Sequence, residues 1–156
     1  LIDEQAFLKV KGHVDDALAG GAHLLVGGSR REEGDFSRGL FFEPTVLTNV
    51  IHSMRIMKEE TFGPVAPLIP FGTEEEVLRF ANETPYGLAA FFYTKDLSRA
   101  VRFAEKLEYG IVGVNDPLPG AVQAPFGGVK QSGIGREGGR SGLEEFLETK
   151  FISFGL

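Results

Sequence analysis

Glu60 stands two residues before Phe62 in the run from Lys58 to Val65, KEETFGPV, at the entrance to an apolar stretch. An ionised carboxylate can accept two hydroxyl donors at once, and an aromatic face beside it offers apolar area to a planar ring. The same pair also reads as a solvated carboxylate next to a core aromatic, because most charged side chains are simply hydrated. Residue types alone leave both readings open. Farther along, GIGREG places Gly133, Gly135 and Gly138 in the GxGxxG spacing of a dinucleotide-binding turn. That turn works only between a strand and a helix, where backbone amides and a helix N-terminus meet a pyrophosphate. No strand precedes the motif, no apolar helical register follows it, and no room remains for the rest of a βαβ unit, so the context favours a structural glycine loop. The chain contains no cysteine, and its three histidines, His13, His23 and His52, are too dispersed for a metal cluster. It therefore offers neither a thiolate nucleophile nor a metal site of its own.

Composition bounds the rest. The 156 residues suffice for one domain with a real core, and a hydrophobic content of 42% belongs to globular chains. Sixteen basic residues scattered among twenty-two acidic ones give a net charge of −6 and no basic stripe, which excludes nucleic acid as the expected partner. No apolar run is long enough to span a bilayer. The absence of cysteine fits a cytoplasmic setting. The chain begins at Leu1 without a methionine or a charged-then-apolar leader, and the expectation is a cut inside a longer polypeptide.

Several elements must position these residues. Phe7, Val10, Val14 and Leu18 recur at three- and four-residue steps, predicting an amphipathic helix from Asp3 to Ala19 that stops at Gly20-Gly21. His23 to Val26 reads as a strand and Gly27 to Gly39 as a solvated loop. Phe41 to Val50 and Pro64 to Phe71 read as further strands, the second apolar enough to be buried on both faces. Thr73 with Glu76 forms a capping box for a helix to about Asn82. Gly87 to Thr94 is a strand, Asp96 caps the next helix, Gly110 supplies its left-handed stop, and Ile111 to Asn115 is an apolar strand. This alternation predicts an α/β fold, layered αβα with a mostly parallel sheet. From Asp116 to Arg140 glycine and proline dominate, the mark of a long functional loop. Ser141 to Thr149 then reads as a short helix and Lys150 to Phe154 as a last strand. No repeat or linker interrupts the chain, and one domain over 1–156 is expected.

KEETFGPV and the tail from Pro125 to Gly138, PFGGVKQSGIGREG, resemble the C-terminal part of the catalytic domain in the aldehyde dehydrogenase superfamily. The tail is most similar to the succinate-semialdehyde dehydrogenase branch, and the likeness extends from the LIDEQAF helix to the last residues. The resemblance implies that Glu60 accepts hydrogen bonds from the nicotinamide-side ribose and that Phe62 packs near that ribose and ring. It implies that Asn115 to Phe126 walls an aldehyde tunnel, with Phe126 lining it; the residues alone also allow Phe126 as a core anchor of a flexible loop. One position departs from the branch: a serine there commonly helps hold the substrate carboxylate, whereas this chain has Gly120, which keeps an amide donor and loses the hydroxyl.

For function, the resemblance implies a parent enzyme that oxidises an aldehyde, best succinic semialdehyde, to its acid with NAD or NADP. Its cysteine nucleophile and glutamate base would lie outside this chain, so the chain alone is expected to be inactive. The implied partners are a small aldehyde and further copies of the same chain, joined through a terminal strand at about residues 149–155. An ordinary edge strand within one copy is the competing reading of that segment. Two other classes stay open: a stand-alone non-catalytic binding protein of the same fold, and a structural module that pairs with dehydrogenase subunits.

Overall fold

The computed structural model describes residues 1–155. It comprises two compact units, 1–72 and 73–155.

The first unit is built on helix α1 (Glu4–Ala19). Asp3 caps it, its carboxylate accepting from the Ala6 amide at 2.7 Å. Gly20-Gly21 ends it, and Gly21 adopts φ 97°, a conformation glycine enters without Cβ strain. The buried stripe is Phe7, Val10, Val14 and Ala17, whereas Leu18, expected in the stripe, is exposed. A polar residue shares that stripe: His13 is wholly buried. Strands β1 (His23–Val26), β2 (Thr45–Thr48) and β3 (Val65–Pro67) form a sheet in that order, β1–β2 antiparallel and β2–β3 parallel. On β2, Thr45 and Leu47 face inward. The buried Thr45 hydroxyl donates to the Glu43 carbonyl and accepts from the Gly28 amide, so it carries no desolvation penalty. The core joins the α1 stripe to Ala22, Phe42, Leu47, Val50, Met54 and Ile56.

Two expectations fail here for the same reason. Of the strands anticipated at 41–50 and 64–71, only Thr45–Thr48 and Val65–Pro67 enter the sheet, and β3, bonded on one side only, leaves Ala66, Leu68 and Phe71 exposed rather than buried on both faces. Pairing, and not apolar content, sets the length and burial of a strand. The charged loop also contains a turn of 3-10 helix, Gly34–Arg38.

In the second unit, Thr73 caps α2 (Glu74–Asn82) by accepting from the Glu76 amide at 3.1 Å. The expected strand after it is split into β4 (Tyr86–Gly87) and β5 (Ala89–Phe92). From β5 the chain crosses through α3 (Leu97–Lys106), capped by Asp96, to β6 (Ile111–Val114), which pairs with β5 in parallel. This βαβ unit is held by Phe103 on α3 packing against Phe92, ring centroids 5.5 Å apart. Gly110 does not provide a left-handed stop. The α3 cap, Leu107, is extended, and Gly110 serves a close approach instead: a Cβ there would lie 1.9 Å from the Gly127 carbonyl oxygen.

The long loop yields β7 (Val129–Lys130), antiparallel to β4. Of the four strand pairings, two are parallel and two antiparallel, so the parallel character of the sheets is partial. Helix α4 covers only Ser141–Glu144, and residues 148–155, expected to hold the last strand, have no regular structure. A strand exists only against a partner edge, and no described strand pairs with this segment.

Candidate functional site

The backbone from Arg55 to Pro64 lies on one side of α1 and is tied to it at successive points. The Arg55 amide donates to Asp16 Oδ2 at 3.1 Å. The Arg55 guanidinium grips both oxygens of Glu59, at 3.0 and 3.1 Å, a fork-on-fork pairing. His13 Nε2 lies 2.9 Å from Glu59 Oε2, and Nδ1 lies 3.1 Å from Thr61 Oγ1. Gly63 then settles directly onto the helix: a Cβ on it would come within 2.5 Å of Val10 Cγ2. The hydrogen bond from Arg55, supplemented by that from His13, lowers the Glu59 pKa to about 2, so Glu59 stays ionised and acts only as an acceptor.

Glu60 lies between these anchored neighbours and behaves differently. It is exposed, and among the described residues its carboxylate has no hydrogen-bond or ion-pair partner. Phe62 is 85% exposed, its ring stacked on nothing. Its φ of 30° is outside the ordinary range of a bulky L-residue. Such a conformation costs on the order of 1–3 kcal/mol and persists where the surroundings dictate it. Here they do so on both sides, through His13 with Thr61 before it and Val10 under Gly63 after it. The outcome is a free carboxylate next to an uncovered aromatic face, on a backbone held at Thr61 and seated on the helix at Gly63. That pair can accept hydroxyls and receive a planar ring; no described cluster of three or more His, Cys, Asp or Glu could hold a metal ion.

The other sequence-derived residues, Gly120 and Phe126, are in the second unit. Gly120 is on an open loop, with nothing within 4 Å of the place a Cβ would occupy. Asn115, which starts the loop at φ 56°, is fixed by side-chain bonds to the Thr94 amide and carbonyl, both 2.8 Å. Phe126 exchanges two backbone hydrogen bonds of 2.7 Å with Glu137, and its half-exposed ring lines a cleft of about 660 Å³ together with Ile134, Arg136, Leu143 and Phe146. It is therefore a wall residue and not a buried core anchor.

GIGREG forms no strand-to-helix turn. Gly133, Gly135 and Gly138 all take positive φ, as a tight loop requires, and the Arg136 amide is already bonded to Glu145 Oε1 at 3.1 Å. The Glu145 carboxylate also sits 3.1 Å from where a Gly135 Cβ would be, so an acidic group of the chain itself occupies the place an anion would take. The loop is structural.

The sequence singled out Glu60 and Phe62 as candidates but not the groups that hold their segment. His13 precedes Glu59 by 46 residues and Thr61 by 48, so no local pattern connects them; its place in an apolar helical stripe was the one available clue.

No helix among the described residues is long and apolar enough to cross a membrane. The model of the aldehyde dehydrogenase family matches residues 1–152. Among curated proteins the chain is 53% identical to a 3-sulfolactaldehyde dehydrogenase from Pseudomonas putida, over 99% of this chain and 31% of that protein. It is 51% identical to a succinate-semialdehyde dehydrogenase [NADP(+)] from Escherichia coli, over 100% of this chain and 32% of that protein. Among solved structures, a succinate-semialdehyde dehydrogenase from Burkholderia pseudomallei superposes with a TM-score of 0.88 at 54% identity, covering 94% of this chain and 30% of that one. The chain thus spans about a third of the length of these relatives. With a family model matched over nearly every residue and half of the positions identical to those of such enzymes, the chain belongs to the aldehyde dehydrogenase family.

Proposed function

We propose that this chain works within a longer NAD(P)-dependent aldehyde dehydrogenase, as the part that holds the ribose next to the nicotinamide and walls the substrate tunnel. The observation carrying this reading is the uncommitted Glu60 carboxylate beside the uncovered Phe62 ring, on a backbone tied down on both sides. The donor set suits the cofactor: a ribose offers two adjacent hydroxyls to an acceptor-only carboxylate, and a nicotinamide offers a flat ring to an aromatic face. When bound, the cofactor supplies the hydride acceptor. Glu60 and Phe62 do no bond-making; they orient, and orientation is worth several kcal/mol of barrier when reacting atoms must meet in line.

Phe126 lines the tunnel and Gly120 offers a backbone amide near its mouth in this reading. The substrate we assign is succinic semialdehyde; two relatives are named for short aldehydes that carry an anionic group at their other end. The chain has no cysteine, so the thiolate that adds to the aldehyde comes from elsewhere in the longer enzyme, and this chain alone does not oxidise aldehydes. Residues at about 149–155 gain their strand pairing from a neighbouring subunit.

The test is Glu60→Gln in the longer enzyme, assayed with succinic semialdehyde. The amide keeps the shape but loses one acceptor oxygen and the charge, and kcat/KM for NAD(P) should fall about tenfold or more, as losing a charged hydrogen bond of about 1.5–3 kcal/mol implies. Unchanged cofactor kinetics would overturn the assignment. Calorimetry on the chain alone should detect no NAD binding; micromolar binding would favour a stand-alone nucleotide-binding protein.

A further inference from the structure

His13 is a fully buried histidine that neither the catalytic reading nor the hydrophobic core explains. An imidazole in an apolar stripe gives up hydration at both ring nitrogens, and it persists only if both are bonded. Both are, and both partners belong to one short segment: Nε2 faces Glu59 at 2.9 Å and Nδ1 faces Thr61 at 3.1 Å. Ionised Glu59 can only accept, so Nε2 carries the proton; in the neutral ring Nδ1 then accepts from the Thr61 hydroxyl. The two residues so gripped are the immediate neighbours of Glu60. Because successive side chains of an irregular backbone rotate with it, fixing 59 and 61 from the same ring fixes the direction in which 60 projects.

We propose that His13 is a positioning residue for the cofactor contact, holding Glu59 and Thr61 from α1 so that the carboxylate of Glu60 between them is presented to the ribose hydroxyls. This rests on the role given to Glu60 above. Two further observations agree with it. Arg55, itself tied to α1 through Asp16, grips both oxygens of the Glu59 carboxylate, so the ring bonds to a partner that is already oriented. Phe62, one residue past Thr61, keeps a φ of 30° that a free loop would relax. A histidine that served only the stability of α1 would have no need to reach two residues flanking a free carboxylate.

A double-mutant cycle in the longer dehydrogenase tests this, with NAD(P) as the varied substrate. His13→Ala should lower kcat/KM for NAD(P) about tenfold or more, the order of loss that misplaced positioning groups bring. In a Glu60→Gln background the same change should have an effect of less than about twofold, since the carboxylate it positions is no longer there. Thr61→Val, which removes one hydroxyl and preserves shape, should repeat the pattern more weakly, and it carries the cycle if His13→Ala does not fold. Equal losses in both backgrounds, or no loss from either variant, overturns the proposal and leaves His13 a packing residue. Glu60→Gln without any effect of its own takes down the cofactor reading and this inference together, whereas an effective Glu60→Gln with an inert or additive His13 takes down only the latter.

Discussion

Glu59 and Glu60 are adjacent glutamates with opposite situations. Glu59 is bonded by Arg55 and His13 and its pKa falls from 4.5 to about 2, whereas Glu60 is free. A carboxylate whose folded pKa lies below its unfolded value stabilises the fold fully above the unfolded pKa and loses that contribution as pH drops through the folded one. Glu59 should therefore contribute to acid sensitivity between about pH 4.5 and about pH 2. Glu59→Gln should flatten the stability profile in that window, measured by urea unfolding at a series of pH values; an unchanged profile would mean that the Arg55–Glu59–His13 array contributes nothing. Gly63 gives a second residue-scale prediction. Gly63→Ala drives a methyl into Val10 Cγ2, which is buried on a stiff β-branched side chain, and overpacking of this kind costs about 1–3 kcal/mol. Adding Val10→Ala should recover part of that loss, and strict additivity of the two changes would argue against the contact.

At the level of elements, α1 both builds the core and holds the segment that carries Glu60. Its stripe packs on Leu47, which is wholly buried on β2, so Leu47→Ala should destabilise the protein by about 2–5 kcal/mol in denaturant titration. Farther along, Gly110→Ala tests the close approach between the α3–β6 connection and the segment at Gly127. The added Cβ would meet a carbonyl oxygen at 1.9 Å, and backbone cannot swing aside as a side chain can. A loss larger than that of Gly63→Ala is expected, and a neutral result would show that Gly110 is a dispensable turn glycine. Much at this scale was legible in sequence. Thr73 and Asp96 each cap the helix expected after them, because capping is a local hydrogen bond between a short side chain and amides three residues on, whereas Asp3, read as the first residue of its helix, is its cap. Strand extents were less legible. Phe41 to Val50 and Gly87 to Thr94 are apolar enough for long strands, yet Thr45–Thr48, a single bridge at Phe42 and two short segments around Leu88 are what find a neighbouring edge.

For the whole molecule, the apolar surface is considerable: Phe146, Phe151 and Phe154 are each more than four-fifths exposed, as are Ile134 and Val122. Large apolar side chains left in water in such numbers favour association. The chain in isolation should sediment as more than a monomer at micromolar concentration, and removing residues 149–156 should reduce that tendency; a monomer that is indifferent to the truncation would contradict the pairing role we give this segment. The sequence by itself determined the family and the βαβ crossover, and it singled out Glu60 and Phe62 as the candidate pair, since these depend on residue types at short spacing. Tertiary structure decided what the pair rests on. That α1 turns His13 inward, that its ring spans Glu59 and Thr61, that Gly63 seats on Val10 and that the GIGREG amide is taken by Glu145 all depend on residues distant in sequence or on the path of the backbone. Local interactions leave their mark in neighbouring letters; burial and long-range hydrogen bonds are set only when the chain has folded, because they are properties of what packs against what.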